Sequence, residues 1–317
     1  MTPAQLRAFV TVVRLGSVKA AAADLQVSEA AVSLHVSHLR DELGDKLFVR
    51  TASGLAFTPG GLRLASRAAE ILGLQDQTII EVSQAGGGRR LLRVAASSLF
   101  AEHAAPGLIE LFADRANDLE VELSDQNPMR FASLLTTRAV DVAIGPRPAL
   151  LEPGVRAANF LNYQVVAVAS PEHPLTRVQP SAGELRDQTW LLGPSAASPV
   201  EVVPIMLRRL GVSEDKQRIF QSHWAALEEA KHGNGVALVV HFAVARDLAA
   251  GDLKLVGSPG LAAQGTWTLM MLSHNATSAA EELARFVITP RATQAMLRGR
   301  GVSVGRFKPS IHVTLWS

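Results

Sequence analysis

The chain has 317 residues, 48% hydrophobic and 19% charged, which excludes both a disordered segment and a single small module and leaves room for two or three domains with their own cores. It has no cysteine, so disulfides and thiolate metal sites are excluded and the fold must stand on packing. The formal net charge is +2, and residues 1–90 hold ten Lys/Arg against eight Asp/Glu, so the chain does not coat nucleic acid by bulk charge and any DNA contact has to be placed.

Thr2-Pro3-Ala4-Gln5 predicts a helix start, with Thr2 as cap, Pro3 at the first helical position and Gln5 reaching back. Leu6, Phe9, Val10 and Val13 then repeat at helical spacing and predict one buried face. Gly16 stops this helix and Ser17 caps a second, Ala-rich one that ends at Leu25 and whose small side chains let a neighbour approach closely. Ser28 caps a third helix. Its Val32, Val36, Leu39 and Leu43 stripe is assigned to the core, and Glu29, Ala30, Ser33, Leu34, Ser37 and Arg40 to the opposite face. That second face is short-chained and weakly charged near its start, as suits a helix end entering the major groove, and the cap can hold a phosphate. Leu47 to Arg50 and Leu55 to Phe57 predict a hairpin around Thr51-Ala52-Ser53-Gly54, with Arg50 facing a phosphate. Thr58-Pro59 starts a long helix to about Ala85. Its Leu62, Ala65, Ala69, Leu72, Asp76 and Ile79 are spaced for pairing with a twin helix, although Gly73 and Asp76 weaken that seam.

These residues resemble the LysR-type transcriptional regulators. The resemblance is carried by Leu6-Arg7-Ala8-Phe9, Gly16-Ser17, Ala20-Ala21-Ala22, Val27-Ser28, Ala31-Val32-Ser33, Leu39, Glu42-Leu43-Gly44, Leu47-Phe48-Val49-Arg50 and Thr58-Pro59-Gly60-Gly61, and continues more loosely to about residue 297. It implies a winged helix-turn-helix over 1–57, a dimerising linker helix and hinge over 58–88, and a two-lobed periplasmic-binding-protein-like α/β effector domain over 89–297. Lobe 1 is expected at about 89–169 and 270–297 and lobe 2 at about 170–269, with a basic tail over 298–317. The partners implied are double-stranded promoter DNA, a small polar or anionic effector, further copies of the chain as homodimer or homotetramer, and RNA polymerase as an open addition. The DNA-facing set is Ser28, Glu29, Ala30, Ser33, Leu34, Ser37 and Arg50. Many relatives carry Gln, Pro and Arg where this chain has Glu29, Ala30 and Leu34. Glu29 can accept from cytosine and Leu34 can touch a thymine methyl, but a bidentate Arg–guanine pair is unavailable there.

Gly86-Gly87-Gly88-Arg89-Arg90 reads as a hinge, after which strands and helices alternate, as in a parallel sheet covered on both faces. Strands are expected at Leu91–Ala96, Leu119–Leu123, Val140–Ile144, Gln164–Ser170, Thr189–Leu192, Gln217–Gln221, Gly235–Val240 and Trp267–Leu272. Helices are expected at His103–Asn117, Met129–Arg138, Glu201–Leu210, Trp224–His232 and from Ser278 to about Phe286. Pro171-Glu172-His173-Pro174-Leu175 looks like the family's crossing between lobes. Ligands of such sheets sit beyond the carboxyl ends of strands. Ser97, Ser98, Gln126 and Asn127 fall there in the first lobe, and Ser195, Ser198, Ser222 and His223 in the second. Leu99 makes one wall less polar than in many relatives, and Trp224 either closes the pocket or fills the core.

The chain has no Gly-x-Ser-x-Gly elbow and no Gly-Lys-Ser/Thr phosphate loop, and Gly233-Asn234-Gly235 lacks the third glycine of a dinucleotide fingerprint. His35 and His38 lie three apart with no further ligand pattern to complete a zinc site. No enzyme, cofactor or metal is therefore expected. The alternative is a small-molecule-binding protein or enzyme with an accessory nucleic-acid-binding head. No signal pattern opens the chain and no uncharged run matches a membrane span, so the expected location is the cytoplasm.

Overall fold

The computed structural model describes residues 1–51, 54–87, 89–115, 118–257 and 261–298, and the chain divides into two compact units, residues 1–87 with 136–139 and residues 88–135 with 140 onward. Ala52 and Ser53 of the expected hairpin turn, Gly88 of the hinge, and the basic tail after Arg298 lie outside the described residues.

The first unit begins with α1 (Pro3–Leu15), α2 (Val18–Leu25) and α3 (Glu29–Leu43). Thr2 and Gln5 form the full capping box, Gly16 ends α1 in the left-handed region, and Ser17 and Ser28 each accept a backbone N–H from the first turn of the helix they cap. Phe9, Val12, Ala21, Val32, Val36 and Leu39 close one core. Leu43, expected in that stripe, is 45% exposed; it sits in the last helical residue before Gly44, where the chain leaves the core. The hairpin is β1 (Phe48–Thr51) on β2 (Gly54–Phe57), antiparallel, with Phe48 opposite Phe57. The linker helix α4 spans Pro59–Gly87, so Gly86 and Gly87 are helical rather than hinge-like; glycine weakens a helix without stopping it. Its inward face differs from the predicted seam. Leu64, Ala65, Ala68 and Leu72 join the core of α1 to α3, while Leu62 and Ile79 of the predicted seam are exposed, as are Ile71, Leu74 and Val82.

The second unit runs β3 (Arg90–Ala96), α5 (Ser98–His103), α6 (Ala105–Ala113), β4 (Leu119–Asp125), α7 (Phe131–Thr136), β5 (Val142–Pro146) and β6 (Val155–Ala169). It continues through α8 (Ala182–Arg186), β7 (Trp190–Leu192), α9 (Val202–Leu210), β8 (Gln217–Ile219), α10 (His223–Lys231), β9 (Val236–Val240) and α11 (Ala245–Ala250), and ends with β10 (Lys254–Leu255), β11 (Ala262–Leu272), α12 (Ser278–Val287) and α13 (Pro290–Leu297). The strands join in the order β4-β3-β5-β11-β6-β9-β7-β8, with β10 on β6. Parallel pairs flank each end, β3 with β4 and β5, and β7 with β8 and β9. In the middle β11 pairs antiparallel along its whole length with Val155–Val166 of β6, with a register shift at Trp267/Thr268. These two long strands link the halves, and the Pro174–Thr176 segment forms a 3-10 turn after β6.

Several sequence-based expectations change here. The helix expected over His103–Asn117 is α6, shorter at Ala105–Ala113, with Pro106 in its first turn where a missing N–H costs nothing, and the separate short helix α5 precedes it. The helix expected from Met129 begins as a 3-10 turn at Pro128–Arg130. Strand β6 starts nine residues before the expected Gln164, because Arg156 to Asn162 are partly exposed and read as polar. The short strand β10 and the helices α8, α11 and α13 were not anticipated. The last carries the usual signal, Thr289 as cap followed by Pro290.

Candidate functional sites

Two regions collect the residues singled out by sequence, one in each unit. On α3, Ser28, Glu29, Ala30, Ser33, Leu34 and Ser37 are all exposed along one face, with Leu34 55% exposed. Between α3 and the hairpin lies a groove of about 450 Å³, lined by Ser33, Arg40, Lys46, Phe48, Val49 and Arg50 among others. Arg50 stands exposed on its rim. Arg40 is different from the prediction. Its guanidinium lies over the Phe48 ring at 4.5 Å, and its Nη2 donates to the Phe48 carbonyl at 2.9 Å, so it ties α3 to the hairpin.

The hairpin's entry is fixed by a small polar knot. Leu47 N–H and the Thr58 hydroxyl both donate to Asp45 Oδ1, at 2.6 and 2.7 Å, and hold that carboxyl below its ordinary range. Thr58 Oγ1 in turn accepts from Gly61 N–H at 2.9 Å. A side chain at Gly61 would put its Cβ 2.0 Å from the Leu47 carbonyl, so glycine is required for α4 to start this close to the hairpin.

In the second unit the ends of β3 and β7 and the starts of α5, α9 and α10 enclose a buried polar cluster. Ser195 Oγ lies 2.8 Å from His223 Nε2, and His223 Nδ1 lies 2.9 Å from Glu102 Oε1. Glu102 also accepts the His223 backbone N–H at 2.9 Å. Glu102 stands on α5 and its partner at the head of α10, 121 residues away, so this string joins the two halves of the sheet. Burial pushes the Glu102 carboxyl up, but the hydrogen bond and charge of His223, with His103, outweigh it and hold the group below its usual value. A Cβ on Gly193 would fall 2.3 Å from the His223 ring, so only glycine lets the imidazole lie there. Nearby, the Ser198 hydroxyl donates to Asn127 Oδ1 at 3.2 Å, a second bond between the halves.

Three further groups face this cluster. Glu201, the residue before α9, is 1% exposed; burial pushes its carboxyl up to about 7, Ser97 works against this and Asp125 adds to it. Asp125 at the end of β4 is pushed up to about 6, first by lost hydration and then by the charge of Glu102. Tyr163 stacks on Trp267 at 4.2 Å, and its phenol is pushed up by burial and by Glu201. Ser–His–Glu strings can serve nucleophilic catalysis. Here Ser195 is 1% exposed and Glu102 is spent on a backbone N–H as well as the ring, an arrangement suited to holding the halves together. Among the described residues, Glu102, His103 and His223 are the group close enough to offer a metal ion three ligand atoms.

Residues 3–62 match the bacterial regulatory helix-turn-helix protein, lysR family, and residues 85–289 match the LysR substrate binding domain. The chain belongs to the LysR family. A curated HTH-type transcriptional regulator of Mycobacterium tuberculosis is 57% identical over 321 residues, covering all of both chains. CfxR of Cupriavidus necator is 28% identical over 313 residues, covering 95% of each. Among solved structures, ArgP from Mycobacterium tuberculosis matches with a TM-score of 0.61 at 18% identity, covering 90% of this chain and 97% of that one. This LysR-type protein is a transcriptional regulator with a helix-turn-helix and an effector-binding domain, and not an enzyme. Among the described residues no helix is long and apolar enough to cross a membrane.

The regulator's sequence-predicted site residues fare unevenly. All six named on α3 share one exposed face, and Arg50 borders the same groove. Of the cleft residues, Ser195 meets His223 and Ser198 meets Asn127. Ser97 is fully buried and makes no capping bond. Ser98 is buried in the first turn of α5, and Gln126 is half-buried with its N–H donated to the Ala96 carbonyl. Ser222 is a cap, accepting from Ala225 N–H at 3.1 Å. Leu99 is wholly buried in the core. Trp224 is half-buried, edge-on to His103 and packed on the second half's core. Sequence reading missed Lys46, Glu102, Asp125, Tyr163 and Glu201. The one available signal was position: Asp125 ends a strand and Glu201 precedes a helix, both places where ligands gather.

Proposed function

We propose that the exposed α3 face, Ser28, Glu29, Ala30, Ser33, Leu34 and Ser37, reads base edges in the major groove while Arg50 and Lys46 meet phosphates beside it. The observation that carries this is an unpaired, short-chained helix face opening onto a groove with cationic walls. Arg40 holds the wing against α3 and so sets the groove's width. The exposed apolar residues of α4, among them Leu62, Ile79 and Val82, give the linker helix a surface for a second copy, and a homodimer or homotetramer follows from that reading. The protein works in the cytoplasm on promoter DNA.

The second unit takes up a small effector between its halves, near Ser97, Ser98, Gln126, Asn127, Ser195, Ser198, Ser222 and His223. The Ser195–His223–Glu102 string and the Ser198–Asn127 bond cross between those halves, so a ligand that rearranges them shifts the balance of two arrangements by typically about 1–3 kcal/mol. LysG from Corynebacterium glutamicum, 20% identical with a TM-score of 0.59 over 94% of this chain and 99% of that one, is a full-length structure with bound effector Arg, which supports an effector-controlled reading.

The decisive experiment is footprinting on the DNA flanking the protein's own gene. Wild type protects a discrete segment, and the Ser33→Ala/Leu34→Ala double variant loses discrimination against bulk competitor while keeping its oligomer size. Equal protection by the variant would remove α3's face from base reading. Ser97→Ala/Ser98→Ala keeps basal DNA binding and loses the transcriptional response to the effector.

A further inference from the structure

The buried cluster of the effector unit carries an electrostatic imbalance that its own residues do not settle. Glu102, Asp125 and Glu201 act on one another there, and the positive charges acting on Glu102 and Asp125 come from His103 and His223. No Lys or Arg is among the charges acting on these three carboxyls. His223 is already committed, through one ring nitrogen to Glu102 and through the other to Ser195. Glu201 and Asp125 are left with no cationic partner of their own.

The hydrogen bonds show the same deficit. Glu201 Oε2 and the Tyr163 hydroxyl have no hydrogen-bond partner, and their residues are 1% and 3% exposed, while the fully buried Ser97 hydroxyl acts on the Glu201 carboxylate as a hydrogen-bond donor. Buried polar atoms in folded proteins are nearly always paired, and a buried carboxylate costs most when it is not. Two such atoms, one of them on a carboxylate, mark a place where a ligand supplies what the protein lacks. A group that brings positive charge and several N–H donors fits both, because the carboxylate and phenol oxygens can each accept.

We infer that the effector of this regulator is a small organic cation, an ammonium or guanidinium compound, whose charged end is held by Glu201 and Asp125 with Ser97 and Tyr163 as neutral partners. The inference rests on the effector reading above and fixes the sign of its charge. It narrows the expectation of a polar or anionic effector drawn from Ser97 and Ser98, since an anion placed there would face three carboxyls. A metal ion is the weaker fit. The group close enough to ligate one is Glu102, His103 and His223, and Glu102 and His223 already bond each other at 2.9 Å.

The test is thermal unfolding of the full chain at mildly alkaline pH. One panel of probes holds agmatine, putrescine, lysine and arginine; the other holds succinate, glutarate, citrate and inorganic phosphate; Zn²⁺ alone forms a third arm. At least one amine or guanidine raises the midpoint saturably. Glu201→Gln, which keeps the shape, weakens that probe by about tenfold or more, as loss of a charge-assisted hydrogen bond requires. Asp125→Asn, nearer the solvent, weakens it less and guards against a folding defect in the first variant. Three results overturn the inference: saturable shifts from the anions alone, a Zn²⁺ shift abolished by His103→Ala, or no shift of wild type by any cation in the panel. Operator gel shifts on the same preparations separate the two levels. Specific DNA binding with an anion response leaves the effector reading standing and removes only the charge assignment. Absence of both specific binding and any ligand response removes the reading beneath it.

Discussion

The recognition face of α3 and the buried cluster of the effector unit are both polar, yet they are built on opposite terms. On α3 the polar groups stand in water, where they are hydrated and cost nothing to keep until DNA arrives. In the effector unit Glu201 and Tyr163 are withdrawn from solvent, each with a polar atom unmatched. The first surface waits at no cost in stability. The second is held by the surrounding fold and by the Glu102–His223–Ser195 string, and taking up protons relieves it without any ligand.

That contrast can be broken most directly at Glu102. Glu102→Ala strips His223 of the acceptor for its ring and its backbone N–H, and the expected loss is about 3–4 kcal/mol in urea unfolding of the effector unit, with the head's own transition unmoved. A loss below about 1 kcal/mol, the scale of an exposed pair, would show that the string does not hold the halves.

The pH dependence tests the raised carboxyls next. Glu201 and Asp125 have folded values of about 7 and about 6, above their ordinary ones, so the folded state holds these protons more tightly than the unfolded chain. Stability therefore rises as pH falls through about 7 and 6 toward the ordinary carboxylate range, and is lost as pH climbs back. Lost hydration sets this window first; beside it, Glu102 raises and His223 lowers Asp125, while Ser97 lowers and Asp125 raises Glu201. Glu201→Gln removes the upper part and stabilises the ligand-free protein at alkaline pH by roughly 3 kcal/mol. A pH–stability profile unchanged in the variant would contradict the burial of that charge.

Smaller effects sharpen the comparison. Gly193→Ala forces a methyl against the His223 imidazole and is expected to lower stability by about 1–3 kcal/mol, while Gly154→Ala, at a glycine with open space around it, provides a control for backbone strain alone at φ +85°. In the head, Ser28→Ala removes the bond to Ala31 N–H and lowers stability by about 1 kcal/mol, read by thermal melting. Its DNA affinity falls further than that if the cap also holds a phosphate, and a loss matching stability alone would confine Ser28 to capping.

What sequence supplied here was local. Thr2, Gly16, Ser17 and Ser28 act within a few residues of themselves, so their roles in starting and stopping helices are written in the chain, and the 3.6-residue repeat of Val32, Val36 and Leu39 assigns the opposite α3 face to solvent without further help. The same locality explains the errors. The seam assigned to α4 ignored that the core of α1 to α3 would claim Ala65 and Leu72, and Arg40, assigned to the outward face of α3, turns to the hairpin because the fold sets Phe48 beneath it. The alternation of strands and helices announced an α/β domain, and family motifs placed its cleft at the ends of the strands. Only the tertiary structure decided what that cleft contains, because Glu102, Asp125, Tyr163, Glu201 and His223 come from five separate elements or their edges. Their charges are unremarkable in sequence; their meaning comes from being brought together beside a carboxyl withdrawn from water, a long-range effect that no local pattern records.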